Sequence, residues 1–466
     1  MMLSMPKPVA SFNLWRFARW TALAVVLLVA VALGALWQWV QTDHFRQMLA
    51  REASAALGVE LEFGALGLSL RPLPALRVDA VRLKTEPPLT AERIELRPSV
   101  PDLLAGRPVL ALLSVQKAKL PQVGVDGLLR RLDQKAQSAS NPAPKASGGA
   151  AAALLGSKLE LEDIVWQGPG GQVVGFDASA RLGPGLLPTA LQLTLRQLRV
   201  NGLEDLRGTV LSLQQQGGAD GGAHSYAVDL RLRGVATPAE RGRITGQLNW
   251  KSAPTHVGLT GQLNTQGLDL RLVGKSTAKG LQPVLSGLLD AKTTLSAQAP
   301  AAAGLLDALQ ADSPLTVRQA VLHGMDLAKA VKTVGMSRGG ETPLNELSGQ
   351  LHTQGRALQL TQLVARSGVL GATGQVAVSP QGAQSSKLSG QVHVALGDQA
   401  LPDAAKGIVG VPLQVGGTLE SPELSLSRSA LIGAAVGSVL MPGAGTAAGA
   451  SLGDRVGEKL KGIFGK

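Results

Sequence analysis

Tyr226-Ala227-Val228-Asp229-Leu230-Arg231-Leu232-Arg233 sets Tyr226, Val228, Leu230 and Leu232 at every second position, with Asp229, Arg231 and Arg233 between them. Successive side chains of a strand point to opposite faces, so a period of two gathers the apolar set on one side and the charges on the other. A helix would scatter both sets around its axis. The stretch therefore reads as a strand of a sheet with one apolar and one watered face. Its neighbours repeat the pattern. Leu159/Leu161 alternate with Glu160/Glu162, Leu191/Leu193/Leu195 with Gln192/Thr194/Arg196, and Leu268/Leu270/Leu272 with Asp269/Arg271. Turn residues recur roughly every 10–20 positions, which favours antiparallel meanders over βαβ units. TGQLN at Thr245–Asn249 returns as GQLN at Gly261–Asn264, consistent with repeated strands but too short to define a repeat family.

The same period extends both ways. Upstream, Val59–Phe63, Leu76–Leu83, Ala91–Leu96 and Val109–Val115 are expected strands, with a slip near Ala80 that a bulge would absorb. Val100–Gly106 reads as a helical turn opened by Pro101. Downstream, strands are expected over Leu315–Leu322, Leu344–Arg356, Leu358–Ala365, Gly371–Val378 and Leu388–Leu396. Helices are few. His44–Leu57 keeps Phe45, Met48, Leu49, Ala53 and Leu57 at helical spacing and stops at Gly58. Gly127–Lys135, Ala301–Ala311, Asp326–Val334 and 399–408 are shorter candidates. Ala136–Ala153 is low in complexity and reads as a linker.

Two stretches look toward a membrane. Trp20–Val40 holds 21 residues without a charge, enough for a helix to cross a bilayer. Trp20 lies at one end and Trp37 and Trp39 at the other, as interfacial residues do, and Lys7, Arg16 and Arg19 precede the span, which keeps the N-terminus cytoplasmic. The rival reading is a signal peptide cut after Ala30-Val31-Ala32, although the apolar run continues past that point. Ser429–Gly453 is Gly/Ala-rich and uncharged. After it, Val456, Leu460 and Phe464 fall on one helical face, with Lys459 and Lys461 elsewhere, as in a basic amphipathic helix lying on a membrane.

Composition narrows the function classes. The 466 residues are 45% hydrophobic and 17% charged, so most of the chain can bury a core. There is no cysteine, which removes disulfides and thiolate chemistry. The net charge of +12 is spread without a Lys/Arg block, and aromatics make up only 3%. That argues against nucleic acid and suits a surface near anionic lipid. No cofactor is implied. The six histidines are far apart, and none has zinc-motif spacing with another. Ser114-Val115-Gln116-Lys117 fits Ser-x-x-Lys but lies in a strand-like run without its companion motifs. Gly443–Gly449 lacks the βαβ unit that a dinucleotide loop needs. Glu160/Glu162 share the polar face of one strand and read as solvated. The sequence holds no recognisable catalytic constellation, and the expectation is a protein that is not an enzyme.

One order of elements is more specific than any piece of it. A membrane helix precedes a helix ending in ALGVELEFGAL, then LRVDAVRL, then LTAERIELRPSVPDLLAGRPVLALLSVQKAKLP. Near the other end stand LTVRQAVLHGMDLAKAVKTVG and VPLQVGGTLESPELSLS. Over residues 20–125 and 300–428 the chain resembles the AsmA family of bacterial envelope proteins. It departs from the family's closing pattern at Ser427, where that pattern usually ends in Asp. The resemblance implies a single-pass inner-membrane anchor with the bulk of the chain in the periplasm. It also implies a curved antiparallel sheet forming a groove, and a part in outer-membrane lipid homeostasis and assembly.

The expected fold is therefore mainly β with a few helices: an N-terminal transmembrane helix, then a long curved antiparallel sheet shaped as a groove. The expected organisation is a cytoplasmic N-terminus (1–19), anchor (20–40), first β region (41–130), linker (131–157), β-sheet region (158–300), second β region (301–428) and tail (429–466). The residues alone favour a closed core, because leucines usually bury one another. The resemblance implies an open groove with membrane lipids as partners. On that reading Leu230, Leu232, Leu270 and Leu272 face lipid. The alternative is a structural or assembly factor with a closed β core that binds envelope proteins.

Overall fold

The computed structural model describes residues 42–69, 75–105, 109–138, 157–183, 187–200, 203, 206–219, 223–234, 237–253, 255–272, 283–332, 339–368, 370–381, 385–396, 411–418 and 422–426. The expected anchor with Trp20, Trp37 and Trp39 lies outside them. So do the tail residues Val456, Lys459, Leu460, Lys461 and Phe464, and the helix expected over 399–408. Among the described residues, no helix is long and apolar enough to cross a membrane. The chain is mainly β and divides into two compact units, Met1–Ser157 and Lys158–Lys466.

In the first unit, α1 (Asp43–Leu57) ends as its sequence requires. Gly58 takes φ +68, and its N–H donates to the Ser54 carbonyl at 2.9 Å. A left-handed residue at this point closes the last turn, and glycine does so without a Cβ penalty. β1 (Leu61–Glu62) and β2 (Leu66–Ser69) both pair with β3 (Ala75–Leu83). β4 (Leu89–Pro98) and β5 (Leu110–Pro121) follow antiparallel. α2 (Val100–Leu104) joins them, with the Ser99 hydroxyl donating to Asp102 Oδ2 at 2.7 Å. α3 (Gln122–Ser138) starts directly after β5 and runs into the expected linker, so it is longer than the Gly127–Lys135 the sequence suggested.

The slip at Ala80 is not a register-shifting bulge. Ala80 is left-handed at φ +54, yet Asp79↔Arg93 and Val81↔Ala91 keep one register. Lys117 in β5, at φ +50, takes the same step. Arg93↔Gln116 and Ala91↔Ala118 lie in one register on either side of it. The strands change face together, so Val78 and Val81 both reach the core beside Leu66.

The second unit is one antiparallel meander. Its strands are β6 (Lys158–Gln167), β7 (Val173–Leu182), β8 (Pro188–Arg199), β9 (Val210–Ala219), β10 (Ala223–Gly234), β11 (Thr237–Ala253), β12 (His256–Asp269) and β13 (Leu285–Ala299). They continue through β14 (Gln310–His323), β15 (Glu341–Gln354), β16 (Ala357–Arg366), β17 (Leu370–Gln381), β18 (Ser385–Leu396), β19 (Val411–Gly417) and β20 (Pro422–Leu426). Each pairs with the next in sequence, so the pairing crosses residue 300 without a break. Among the described residues β6 and β20 do not pair with each other, and the sheet is unclosed. α4 (Leu327–Lys332) lies between β14 and β15 and is capped by Asp326, whose Oδ1 accepts the Lys329 N–H at 2.8 Å.

Two expectations fail here. Ala301–Ala311 is not a helix: one 3-10 turn, Ala302–Gly304, precedes a strand that opens at Gln310. The rest of the ten-residue connection from β13 to β14 is turn. The strand expected through Leu272 stops at Asp269, and Leu270–Leu272 is a 3-10 turn. The alternation there reflects a side chain tucked back under the sheet.

The sheet carries repeated bulges, each with an unpaired residue that bends its strand and adds twist. Asp163 (φ +54), Gly267 (φ +56) and Gln362 (φ +50) sit at shifts of register in β6, β12 and β16. Two are built alike. The Asp163 N–H donates to Asp177 Oδ1 on β7, and the Gly267 N–H donates to Asp290 Oδ1 on β13, both at 2.8 Å. Arg196 on β8 and Arg318 on β14 then pair with those carboxylates. An aspartate on the next strand thus caps the amide freed by the bulge, and an arginine one strand further neutralises it.

Candidate functional site: the apolar face of the long sheet

The apolar face of the second unit has two margins. At one, four of the seven connections are long, 200–209, 270–284, 324–340 and 397–410, and three are short, 168–172, 235–236 and 367–369. At the other they are joined by 183–187, 220–222, 254–255, 300–309, 355–356, 382–384 and 418–421, of which only 300–309 is as long as 200–209. At the first margin the connections 200–209, 270–284 and 324–340 carry Leu206, Leu272, Leu327 and Ala330 back over the sheet.

Two clusters seal the first margin. In one, Leu206 and Leu272 from the connections close over Leu232 and Leu268. In the other, Leu327 and Ala330 of α4 cover Leu344, Leu347, Ala365, Val394 and Leu413. Leu272, Val394 and Leu413 are 0% exposed.

The second margin is not covered in this way. Leu191, Leu213, Leu248, Leu259, Leu263 and Leu295 are half-buried, and none of them belongs to or packs against a core cluster. Register places them in rows across the sheet. One row runs Leu191–Leu213–Val228–Gly246–Leu263 and the next Tyr226–Leu248–Gly261–Leu295. From β8 to β13 such a strip is about 24 Å long at about 4.8 Å per strand. That exceeds half of the roughly 30 Å hydrocarbon layer, which is the depth one acyl chain fills.

Glycines notch the strip. The tetrapeptide [Ser/Thr]-Gly-Gln-[Leu/Val] occurs at Thr245, Thr260, Ser348, Thr373 and Ser389. Its glycine lies on the apolar face and its glutamine on the other. Gly246 faces Leu263 and Gly261 faces Leu248. Gly374 faces Val392 and Gly390 faces Val376. A Cβ on Gly246 would stand 2.0 Å from the Gln262 carbonyl oxygen, and one on Gly374 would stand 2.2 Å from that of Gln391. The strands approach where the glycine is, and the leucine or valine opposite takes the space. The two copies at 245 and 261 were visible as a repeat. The three later ones, with Ser for Thr or Val for Leu, complete it.

The four leucines expected to face lipid divide. Leu230 is half-buried and packs against the first sealed cluster, and Leu270 is half-buried against the second. Leu232, at 7% exposure, and Leu272 are enclosed in the first cluster, because the 3-10 turn brings Leu272 back over the strands. The half-buried leucines nearer the hairpins were missed. They alternate as clearly as the four named, but periodicity does not register which connections carry side chains back over the sheet.

The polar face is less watered than alternation suggested. Asp269 is 4% exposed and is held by Arg241 at 2.7 Å and Arg271 at 2.8 Å. Burial by itself would raise its pKa, but hydrogen bonds from Arg271 and Arg241 outweigh that and lower it to about 2. On Asp229, bonds from Arg243 at 2.8 Å and Arg231 at 2.9 Å outweigh a smaller burial effect and keep the carboxyl below its usual range.

Distant residues do meet. The Ser286 hydroxyl lies 2.9 Å from His323 Nε2, and His323 Nδ1 lies 2.9 Å from Glu341 Oε1. This is the bonding order of nucleophile, base and orienting acid. Ser286, however, is 8% exposed and sits within a strand, where a reacting carbonyl has no approach like that at an exposed strand-to-helix turn. The trio ties β13, β14 and β15 together on the polar face. Ser114 is buried in β5 and Lys117 pairs with Glu92 at 2.9 Å, so Ser-x-x-Lys is not assembled as a pair. Among the described residues no cluster of His, Asp and Glu could hold a metal. An open cavity of about 550 Å³ lies at the hairpin margin between Asp312, His352, Leu358 and Val378.

Comparison of the chain with protein families, with curated proteins and with solved structures returned no match.

Proposed function

We propose that this chain is a non-enzymatic, membrane-tethered protein of the bacterial envelope that carries phospholipid tails along the apolar face of its long sheet. The observation that carries this reading is the strip of half-buried leucines at the hairpin margin, beside a sealed margin built from the same residue types. Contiguous apolar surface left half-open on a folded sheet is a binding surface by default. The resemblance to the AsmA family adds an inner-membrane anchor over 20–40, a periplasmic sheet, and a role in outer-membrane lipid homeostasis and assembly.

A second reading rests on the sealed clusters and on β20, whose outer edge is unpaired among the described residues. An assembly factor could add an envelope protein's strand at such an edge. One experiment separates the two. A photo-crosslinking residue is placed at Leu263 on the apolar strip, or at Gln262 beside it on the other face, in the full chain in its membrane. Lipid adducts at Leu263 and none at Gln262 support lipid handling. Adducts absent from both, with protein adducts at Glu423 in β20, support the assembly factor and overturn the first reading.

A further inference from the structure

The apolar strip contains one polar group with nothing to bond. Tyr226, the chain's single tyrosine, is 8% exposed, and its hydroxyl is the only buried side-chain polar atom without a partner among the described residues. Burial pushes its pKa up, so it stays a donor at neutral pH. Phenylalanine would fill the same place without leaving a polar atom unbonded, so the hydroxyl calls for an explanation.

Its surroundings supply one. Tyr226 lies opposite Gln215 on β9 and Leu248 on β11. His224, two residues back on the same face, has its ring 6.5 Å from that of Tyr226 and lies opposite Trp250. His224 Nδ1 is 3.1 Å from Gln215 Nε2. With the amide nitrogen donating, Nδ1 accepts, and the ring proton sits on Nε2 as a second donor. A small polar island, with Trp250 beside it, thus stands at the hairpin end of a strip made mostly of leucine, valine and glycine. It holds no arginine or lysine. A phosphate buried there would lack a counter-charge, whereas a neutral carbonyl oxygen needs only a donor.

We infer that Tyr226, with His224 and Gln215 beside it, binds the ester carbonyl of an acyl-glycerol lipid whose tail lies on Leu213, Leu248 and Leu263. This rests on the lipid-handling reading and adds which part of the lipid is recognised and where. The island fixes the boundary between headgroup and tail, so a bound lipid has a defined register on the sheet.

The test compares dioleoyl phosphatidylcholine with its dialkyl ether analogue, which has the same headgroup and tails but no carbonyls. Binding of each to the full chain is measured by displacement of a fluorescent fatty acyl probe. The wild type should bind the ester lipid about five-fold more tightly, the size of one neutral hydrogen bond. Tyr226→Phe should lose that preference, keep ether-lipid affinity, and melt no lower than wild type. Equal wild-type binding of both lipids, or a preference that survives Tyr226→Phe, overturns the inference and leaves lipid handling standing. No binding of either lipid overturns both. If Tyr226→Phe melts substantially lower, the hydroxyl has a partner inside the protein, and the inference falls.

Discussion

The two margins of the long sheet are written in the same alphabet and end differently. Leu232, Leu268, Val394 and Leu413 alternate with polar residues as Leu213, Leu248 and Leu263 do. The first set is sealed and the second half-open. The difference lies in what joins the strands. Long connections deliver Leu206, Leu272, Leu327 and Ala330 onto one margin, whereas hairpins such as Gly355-Arg356 have no chain to spare. Strand pattern decides which face is apolar, and the side chains that the connections carry back over it decide whether that face becomes core or surface.

The strongest way to break this contrast is truncation on both sides of it. Leu413→Ala should cost about 3 kcal/mol, since a fully enclosed side chain leaves a cavity. Leu263→Ala should cost under about 1 kcal/mol. Denaturant unfolding checks both, and equal losses would mean the strip is core.

Acid sharpens the contrast next. Asp269, the chain neighbour of Leu268 in the first cluster, is held by Arg241 and Arg271, and its folded pKa is near 2. A depressed carboxylate stabilises the fold above its unfolded pKa of about 4 and loses that contribution as pH falls toward 2. The loss should be about 2 kcal/mol between pH 5 and pH 2. Asp269→Asn should be less stable at pH 7 and lose less across that window, as read by unfolding at each pH.

Gly246→Ala should cost about 2 kcal/mol, because its Cβ would meet the Gln262 carbonyl oxygen and force β11 and β12 apart. Gly58→Ala has open space and only its left-handed backbone to lose, so its thermal shift should be smaller. The smallest effect expected is that of Ser286→Ala. Losing one hydrogen bond to His323 costs about 1 kcal/mol or less and should leave lipid adducts at Leu263 unchanged. Hydrolysis of an aryl ester by the wild type, lost in that variant, would instead make the trio catalytic.

Much of the architecture is legible in the residues. Alternation at Tyr226–Arg233 and its neighbours marks strand, face and antiparallel order, and Gly58 and Asp326 mark helix ends. What stays hidden is cooperative. Asp177 and Asp290 look solvated one strand at a time, and only pairing shows each capping a neighbour's bulged amide. Ser286, His323 and Glu341 lie 37 and 18 residues apart along the chain, and register alone joins them. Ala301–Ala311 has helical composition, but the turn between two paired strands overrides it. Tyr226 alternates like its neighbours, and nothing local shows that its hydroxyl is left without a partner.

The absence of cysteine makes the central claim directly measurable. Single cysteines at Leu263 and Leu248, and at Leu413 and Leu272, are exposed in the native full chain to a water-soluble maleimide, with and without phospholipid vesicles. The account predicts that the first pair is labelled and becomes protected when lipid is present. The second pair should be protected throughout. Equal protection of all four sites without lipid, or labelling at Leu263 that lipid does not change, would contradict it.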